Sequence, residues 1–197
     1  MKQFLMVRAD ALILGTMWQP DLDDGPQLKP PSPVPEGIEL VEYAGDFDRA
    51  ACPDSFVAHL VDGAVVWTDP RTMDDHRSSK AAAIASCCTD AILAGFVSSA
   101  LGAPHTYPAK PNDQINLTGL VMRSFYPNVG PDWIRPFWCM DAARVWAYRM
   151  HTAAQIQQVG DASIDANLTQ RGINEQLQAQ IIAAETPADL ADITWPA

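Results

Sequence analysis

Basic residues are scarce in this sequence. Thirteen Lys and Arg face 24 Asp and Glu, for a formal net charge of −11 and a pI near 4.5. Sequence-independent nucleic-acid binding works by neutralising phosphates, so this balance argues against nucleic acid as a partner. The acid is concentrated at the front. Residues 1–75 carry 14 acids against 5 bases, whereas residues 76–197 carry 10 against 8. That reads first as a solvated surface that keeps the chain dispersed. Phosphate-cradling glycine loops are missing: Gly95 and Gly102 stand alone, and no Gly-x-Gly-x-x-Gly occurs. The four cysteines, Cys52, Cys87, Cys88 and Cys139, never take Cys-x-x-Cys spacing, so free thiols are expected. No apolar run is long enough to span a bilayer. The opening residues lack the apolar stretch and cleavage site of a signal peptide, so synthesis in a cytoplasm is expected.

Catalytic spacing is equally thin. The four histidines, His59, His76, His105 and His151, form no His-x-x-x-His pair, and no Gly-x-Ser-x-Gly is present. Cys87-Cys88 sits in an Ala-rich stretch without a basic neighbour to lower a thiol pKa. The acids at Asp21-Asp23-Asp24 and Asp74-Asp75 fall in a turn and at a helix start, where capping and solubility explain them; the first group also lacks the loop spacing of an EF-hand. His105, Asp113 and His151 are the one set that could converge as a metal or acid–base site. His151 reads better as a strand end, and Asp113 as a residue of a helix's first turn. The expectation is no enzyme activity, and no catalytic, cofactor or metal site.

What is present points to an α+β fold: a small antiparallel β-rich N-terminal domain, then a mainly helical domain with one β-hairpin. In the leader, 1–70, short apolar runs at 4–7 and 11–14 flank Arg8-Ala9-Asp10 as a hairpin, and 38–43 reads as a further strand. Residues 20–36 hold Pro30-Pro31-Ser32-Pro33-Val34-Pro35; Pro fixes φ and donates no ladder bond, so this is an extended connector. Strands at 56–60 and 64–68 enclose Asp62-Gly63, a pair suited to the positive φ of a type I′ turn.

The second domain, 71–197, opens with Thr72-Met-Asp-Asp75, a capping-box pattern ahead of a Pro-free helix predicted over 73–101. Residues 103–111 read as loop. Asn112 suits an N-cap for a helix whose stripe is Ile115, Gly119, Met122 and Phe125, and Gly119 in that stripe suggests close approach to another backbone. Strands at 138–140 and 145–150 join over Asp141-Ala142-Ala143. Thr152-Ala-Ala-Gln155 is a full capping box for a last long helix, with a break expected at Gly160-Asp161. Thr186-Pro187-Ala188-Asp189 caps a final short turn.

Six tryptophans are more than a small core needs. Hairpin-on-helix packing accounts for some, and a protein–protein interface for the rest, since Trp is enriched at interface centres. The candidate interface residues are Trp18, Pro31, Pro33, Trp133, Trp138 and Trp195. Trp195 is included because chain ends seldom serve a core.

An ordered series of short blocks carries a resemblance. It runs through Cys88 to Phe96, Ser98-Ser99-Ala100-Leu101-Gly102-Ala103-Pro104-His105-Thr106-Tyr107, and Asp113-Gln114-Ile115-Asn116-Leu117. It continues through Trp138-Cys139-Met140-Asp141, Trp146, His151-Thr152-Ala153-Ala154-Gln155, Ala184-Glu185-Thr186, Leu190 and Ile193. Across about residues 76–195 this resembles an uncharacterised domain of bacteriophage tail-fibre and tail-fibre-assembly proteins. Two departures stand out: the Asp141 turn lacks the usual glycine, and the leader is longer and richer in proline. The resemblance implies a tail-associated structural protein of fibre or baseplate, made in the host cytoplasm and resident in the virion tail. Its implied partners are other phage tail proteins, in a homo-oligomer or symmetric hetero-complex. The alternative is an assembly chaperone that helps fibres fold or trimerise and is absent from the mature particle.

Overall fold

A computed structural model describes residues 2–19, 36–45, 47–48, 56–127, 129–130 and 132–196. The architecture is α+β, as expected, and the chain divides into two compact units, Met1–Thr72 and Met73–Ala197. The Pro-rich connector, apart from Glu36, and Cys52 lie outside the described residues.

In the first unit β1 (Lys2–Arg8) lies between β2 (Ile13–Gln19) and β3 (Ile38–Tyr43), antiparallel to both. Alternation puts Leu5 and Val7 of β1 in the core with Ile13, Phe47 and Ala58. The second strand begins later than the apolar run suggested, because Ala11 takes φ 66 inside the turn and the Arg8 N–H donates to the Leu12 carbonyl across it. The Asp62-Gly63 hairpin joins β4 (Val57–Val61) to β5 (Ala64–Thr68), with φ of 50 and 78 at the two loop residues, as a type I′ turn requires.

The second unit contains α1 (Met73–Leu93), β6 (Phe96–Ser98), β7 (His105–Tyr107), α2 (Pro111–Ser124), β8 (Ile134–Met140), β9 (Trp146–Thr152), α3 (Ala153–Ala183) and α4 (Pro187–Asp192). Its four strands form one antiparallel sheet in the order β6-β7-β8-β9. Helix α3 packs antiparallel on α1: Arg77 reaches the Ala184 carbonyl, Gln178 the Ala81 carbonyl, and Cys88 the Gln170 carbonyl. At 31 residues it runs about 46 Å and touches two separate cores. One is built on Phe96, Tyr107, Phe137, Cys139, Ile156 and Val159, the other on Ile84, Leu177, Ile181, Leu190 and Ile193. Among the described residues no helix is long and apolar enough to cross a membrane.

Five expectations are corrected here. The helix predicted over 73–101 ends at Leu93: Gly95 takes φ 105, a conformation L side chains resist, and turns the chain into β6. The loop expected at 103–111 contains β7, which pairs with β6 and touches β8. Helix α2 starts at Pro111 with Lys110 as its N-cap, not Asn112, because Pro at the first helical position loses no needed donor. Helix α3 continues unbroken through Gly160-Asp161. The close helix approach lies at Gly160 and not at Gly119: a Cβ on Gly160 would stand 2.8 Å from Val121 Cγ2, whereas one on Gly119 would meet nothing within 4 Å.

A candidate protein interface on helix α2 and the tryptophan hairpin

The β8–β9 hairpin sets opposite chemistries on its two faces. Register pairs Pro136 with Met150, Trp138 with Tyr148 and Met140 with Trp146 on one face; Phe137 with Arg149 and Cys139 with Ala147 share the other. The Phe137 and Cys139 face is buried; Trp138, Trp146, Tyr148 and Met150 are exposed, Tyr148 to 70 %. Their rings form a packed row. Trp138 stacks on Trp146 with centroids 6.2 Å apart, and meets Tyr148 edge-on at 4.8 Å.

Polar side chains on the covered side fix this register. His151 is fully buried, and its Nδ1 lies 2.8 Å from the Arg149 carbonyl. A carbonyl only accepts, so Nδ1 carries the proton and Nε2 accepts from the Tyr107 hydroxyl 2.9 Å away. Burial lowers the His151 pKa, and burial pushes the Tyr107 hydroxyl far above its ordinary range. Arg149 donates to the Cys139 carbonyl at 2.7 Å and to Asp141 at 2.5 Å. Asp141 accepts the Val145 N–H at 3.0 Å; that bond first, and the guanidinium of Arg149 after it, hold the carboxyl below its usual range. Arg144, at φ 62, takes a left-handed position of the kind that favours glycine.

Helix α2 supplies the other wall. Its core side is Leu117 and Ser124, with Leu120 and Val121 partly covered. Ile115, Met122 and Phe125, of the stripe seen in the sequence, face solvent at 68, 58 and 68 %. Between helix and hairpin runs an open groove of about 570 Å³, lined by Asp113, Asn116, Gly119, Pro136, Trp138 and Tyr148 among others. Contiguous exposed apolar surface of this kind marks a contact site more often than an isolated exposed side chain does.

The candidate interface residues are scattered. Trp138 lies in the groove wall. Trp133 is buried in the first helical-unit core, with Arg135 over its ring at 5.2 Å and its indole N–H without a hydrogen-bond partner among the described residues. Trp195 packs on the Leu190–Ile193 core, so this chain end does serve a core. Trp18 sits in β2, its side chain outside the described residues, as are Pro31 and Pro33. The structure adds Ile115, Asn116, Gly119, Trp146 and Tyr148. The period-two spacing of Trp146, Tyr148 and Met150 was the available signal for the last two. The histidine set does not assemble: His105 bonds the Ala103 carbonyl, His151 is committed to Tyr107, and Asp113 faces the groove. Among the described residues, no three His, Cys, Asp or Glu side chains are grouped to hold a metal.

A protein-family comparison matches residues 75–194 to DUF4376, a domain of unknown function. The chain belongs to the DUF4376 family. The matched span runs from the first turn of α1 through α4 and so contains every residue lining the groove. It starts and ends within a residue of the span, about 76–195, over which the sequence resemblance runs. No curated protein and no solved structure matches the chain.

Proposed function

We propose that this DUF4376 protein is a structural component of a bacteriophage tail, in fibre or baseplate, that attaches to other tail proteins through the α2–hairpin face. Family membership supports a general viral structural role. The single observation that carries the attachment surface is the inverted hairpin: Trp138, Trp146, Tyr148 and Met150 stand outward while His151 and Arg149 point toward the core. Aromatic side chains are enriched at interface centres, and their ordered packing here lowers the entropy lost on docking. The acidic balance of the sequence fits protein partners better than nucleic acid. We place the protein in the virion tail after synthesis in the host cytoplasm, in a homo-oligomer or symmetric hetero-complex.

Mass spectrometry of purified particles tests this. The polypeptide is expected at a fixed stoichiometry to known tail proteins, and its absence overturns the reading. An open apolar groove also suits an assembly chaperone. That alternative expects soluble fibre only on co-expression, with no copy in mature virions.

A further inference from the structure

We propose that the α2–hairpin groove is a slot for a proline-rich extended segment, and that its occupant is the Lys29–Pro35 stretch of a second copy of this chain. The inference deepens the reading of this face as a contact surface and rests on it.

Three properties of the slot select such an occupant. The first is ring geometry. A polyproline II strand has three residues per turn and presents flat pyrrolidine faces, which pack on aromatic rings held ready for them. Trp138 and Tyr148 are held edge-to-face at 4.8 Å, with Trp146 stacked behind Trp138. The second is backbone access. Polyproline II has no internal hydrogen bonds, so its carbonyls need outside donors. The Asn116 amide lines the slot, and Gly119 beside it leaves open space where a side chain would stand. The third is charge. Asp113 is the only carboxylate among the lining residues, and Lys29 is the only base in residues 20–35, immediately before Pro30-Pro31-Ser32-Pro33-Val34-Pro35. An ammonium at one end of the strand and a carboxylate in the slot set its direction. A segment of one copy seated in the next makes a repeating contact, the kind a symmetric tail assembly is built from.

The test uses the full-length chain carrying Pro31→Ala and Pro33→Ala, which disables its own segment, and a fluorescently labelled peptide of residues 28–36. Anisotropy is expected to show saturable binding with a Kd on the order of 100 μM or tighter. The same peptide with its four prolines replaced by Ala should bind at least about tenfold more weakly. Asp113→Asn should weaken binding several-fold and flatten its salt dependence. Trp138→Ala should weaken it about tenfold. Gly119→Leu provides a second variant: it fills the slot from an exposed helix position with a good helix former, and should abolish binding with helix content unchanged by circular dichroism. In sedimentation velocity, wild-type protein should associate as concentration rises, and the double proline variant should stay monomeric. Equal binding of native and Ala-substituted peptides overturns the proposal, as does binding indifferent to Gly119→Leu, or a wild-type chain monomeric at every concentration. Virion proteomics separates the two readings. A chain present in particles but indifferent to the peptide removes this inference alone, and a chain that takes the peptide but is missing from particles removes the tail assignment alone.

Discussion

Two glycines of one helix pair, Gly160 at the α2–α3 contact and Gly119 away from it, predict opposite responses to one added methyl group. Gly119 in α2 and Gly160 in α3 both lie inside helices, where Gly is disfavoured against Ala by about 0.8–1 kcal/mol. Neither has a positive φ. For Gly119 nothing opposes that gain, since an added Cβ meets no atom within 4 Å. Gly119→Ala should therefore stabilise by about 1 kcal/mol, raising Tm by roughly 2–4 °C for a chain of this size. For Gly160 the same gain is opposed by Val121, whose Cγ2 would stand 2.8 Å from the new carbon. Val121 has only a short, β-branched side chain and is packed against the first core, so the helices must separate. Overpacking of this kind costs about 1–3 kcal/mol, leaving Gly160→Ala neutral to about 2 kcal/mol destabilised.

Urea and thermal unfolding of both variants give the comparison. The steric cause is isolated by adding Val121→Ala, which removes the clashing methyl: the coupling between Gly160→Ala and Val121→Ala should be favourable by about 0.5–3 kcal/mol. Gly160→Ala that stabilises as much as Gly119→Ala, or a double-mutant cycle with no coupling, would refute the account of α2–α3 packing.

Gly95→Ala should be far more damaging, by about 2–5 kcal/mol, because it adds left-handed strain to a Cβ placed 2.4 Å from the Tyr107 carbonyl oxygen; thermal unfolding reads this directly. Thr152→Ala removes the acceptor for the Gln155 N–H and half of the capping box, and should lower stability by about 1 kcal/mol in chemical denaturation. Buried His151 has a pKa below its ordinary 6.5, so the unfolded chain binds more protons between those two values and stability rises with pH across that window. Its contribution is complete above about pH 6.5 and lost as pH falls below it; the urea midpoint should drop between about pH 7 and pH 5, with a shallower drop in His151→Gln.

Local signals with their own chemistry were legible from the sequence. Asp62-Gly63 set a two-residue hairpin because both positions need positive φ, and Thr152 and Thr186 cap helices because their hydroxyls satisfy orphaned amides. Elements fixed by tertiary partners were not. Strands β6 and β7 have three residues each and exist through their pairing, so no periodicity exposes them. Gly95 marks the end of α1 only once the Tyr107 carbonyl is seen crowding it. The sequence left open what the α2 stripe faces, because a 3.6-residue period identifies an apolar face without saying what covers it. Ile115, Gly119 and Met122 carry that period as faithfully as a core face does.

The same ambiguity, resolved by magnitudes, defines what the exposed face can do. Trp138, Trp146 and Tyr148 leave 38, 40 and 70 % of their surface to solvent, or about one and a half rings' worth. At roughly 200 Å² per ring and about 25 cal/mol per Å², covering them yields at most about 7 kcal/mol. Loss of free motion on association takes about 4–15 kcal/mol, so the hairpin rings by themselves hold no stable partner. Ile115 and Met122 on α2 and Phe125 at its C-cap must be covered in the same event. It follows that Trp138→Ala and Ile115→Ser should each weaken a genuine contact at this face, although the two residues lie on different elements. If only the hairpin substitution matters, the occupant touches one wall, and the groove is not the unit of recognition.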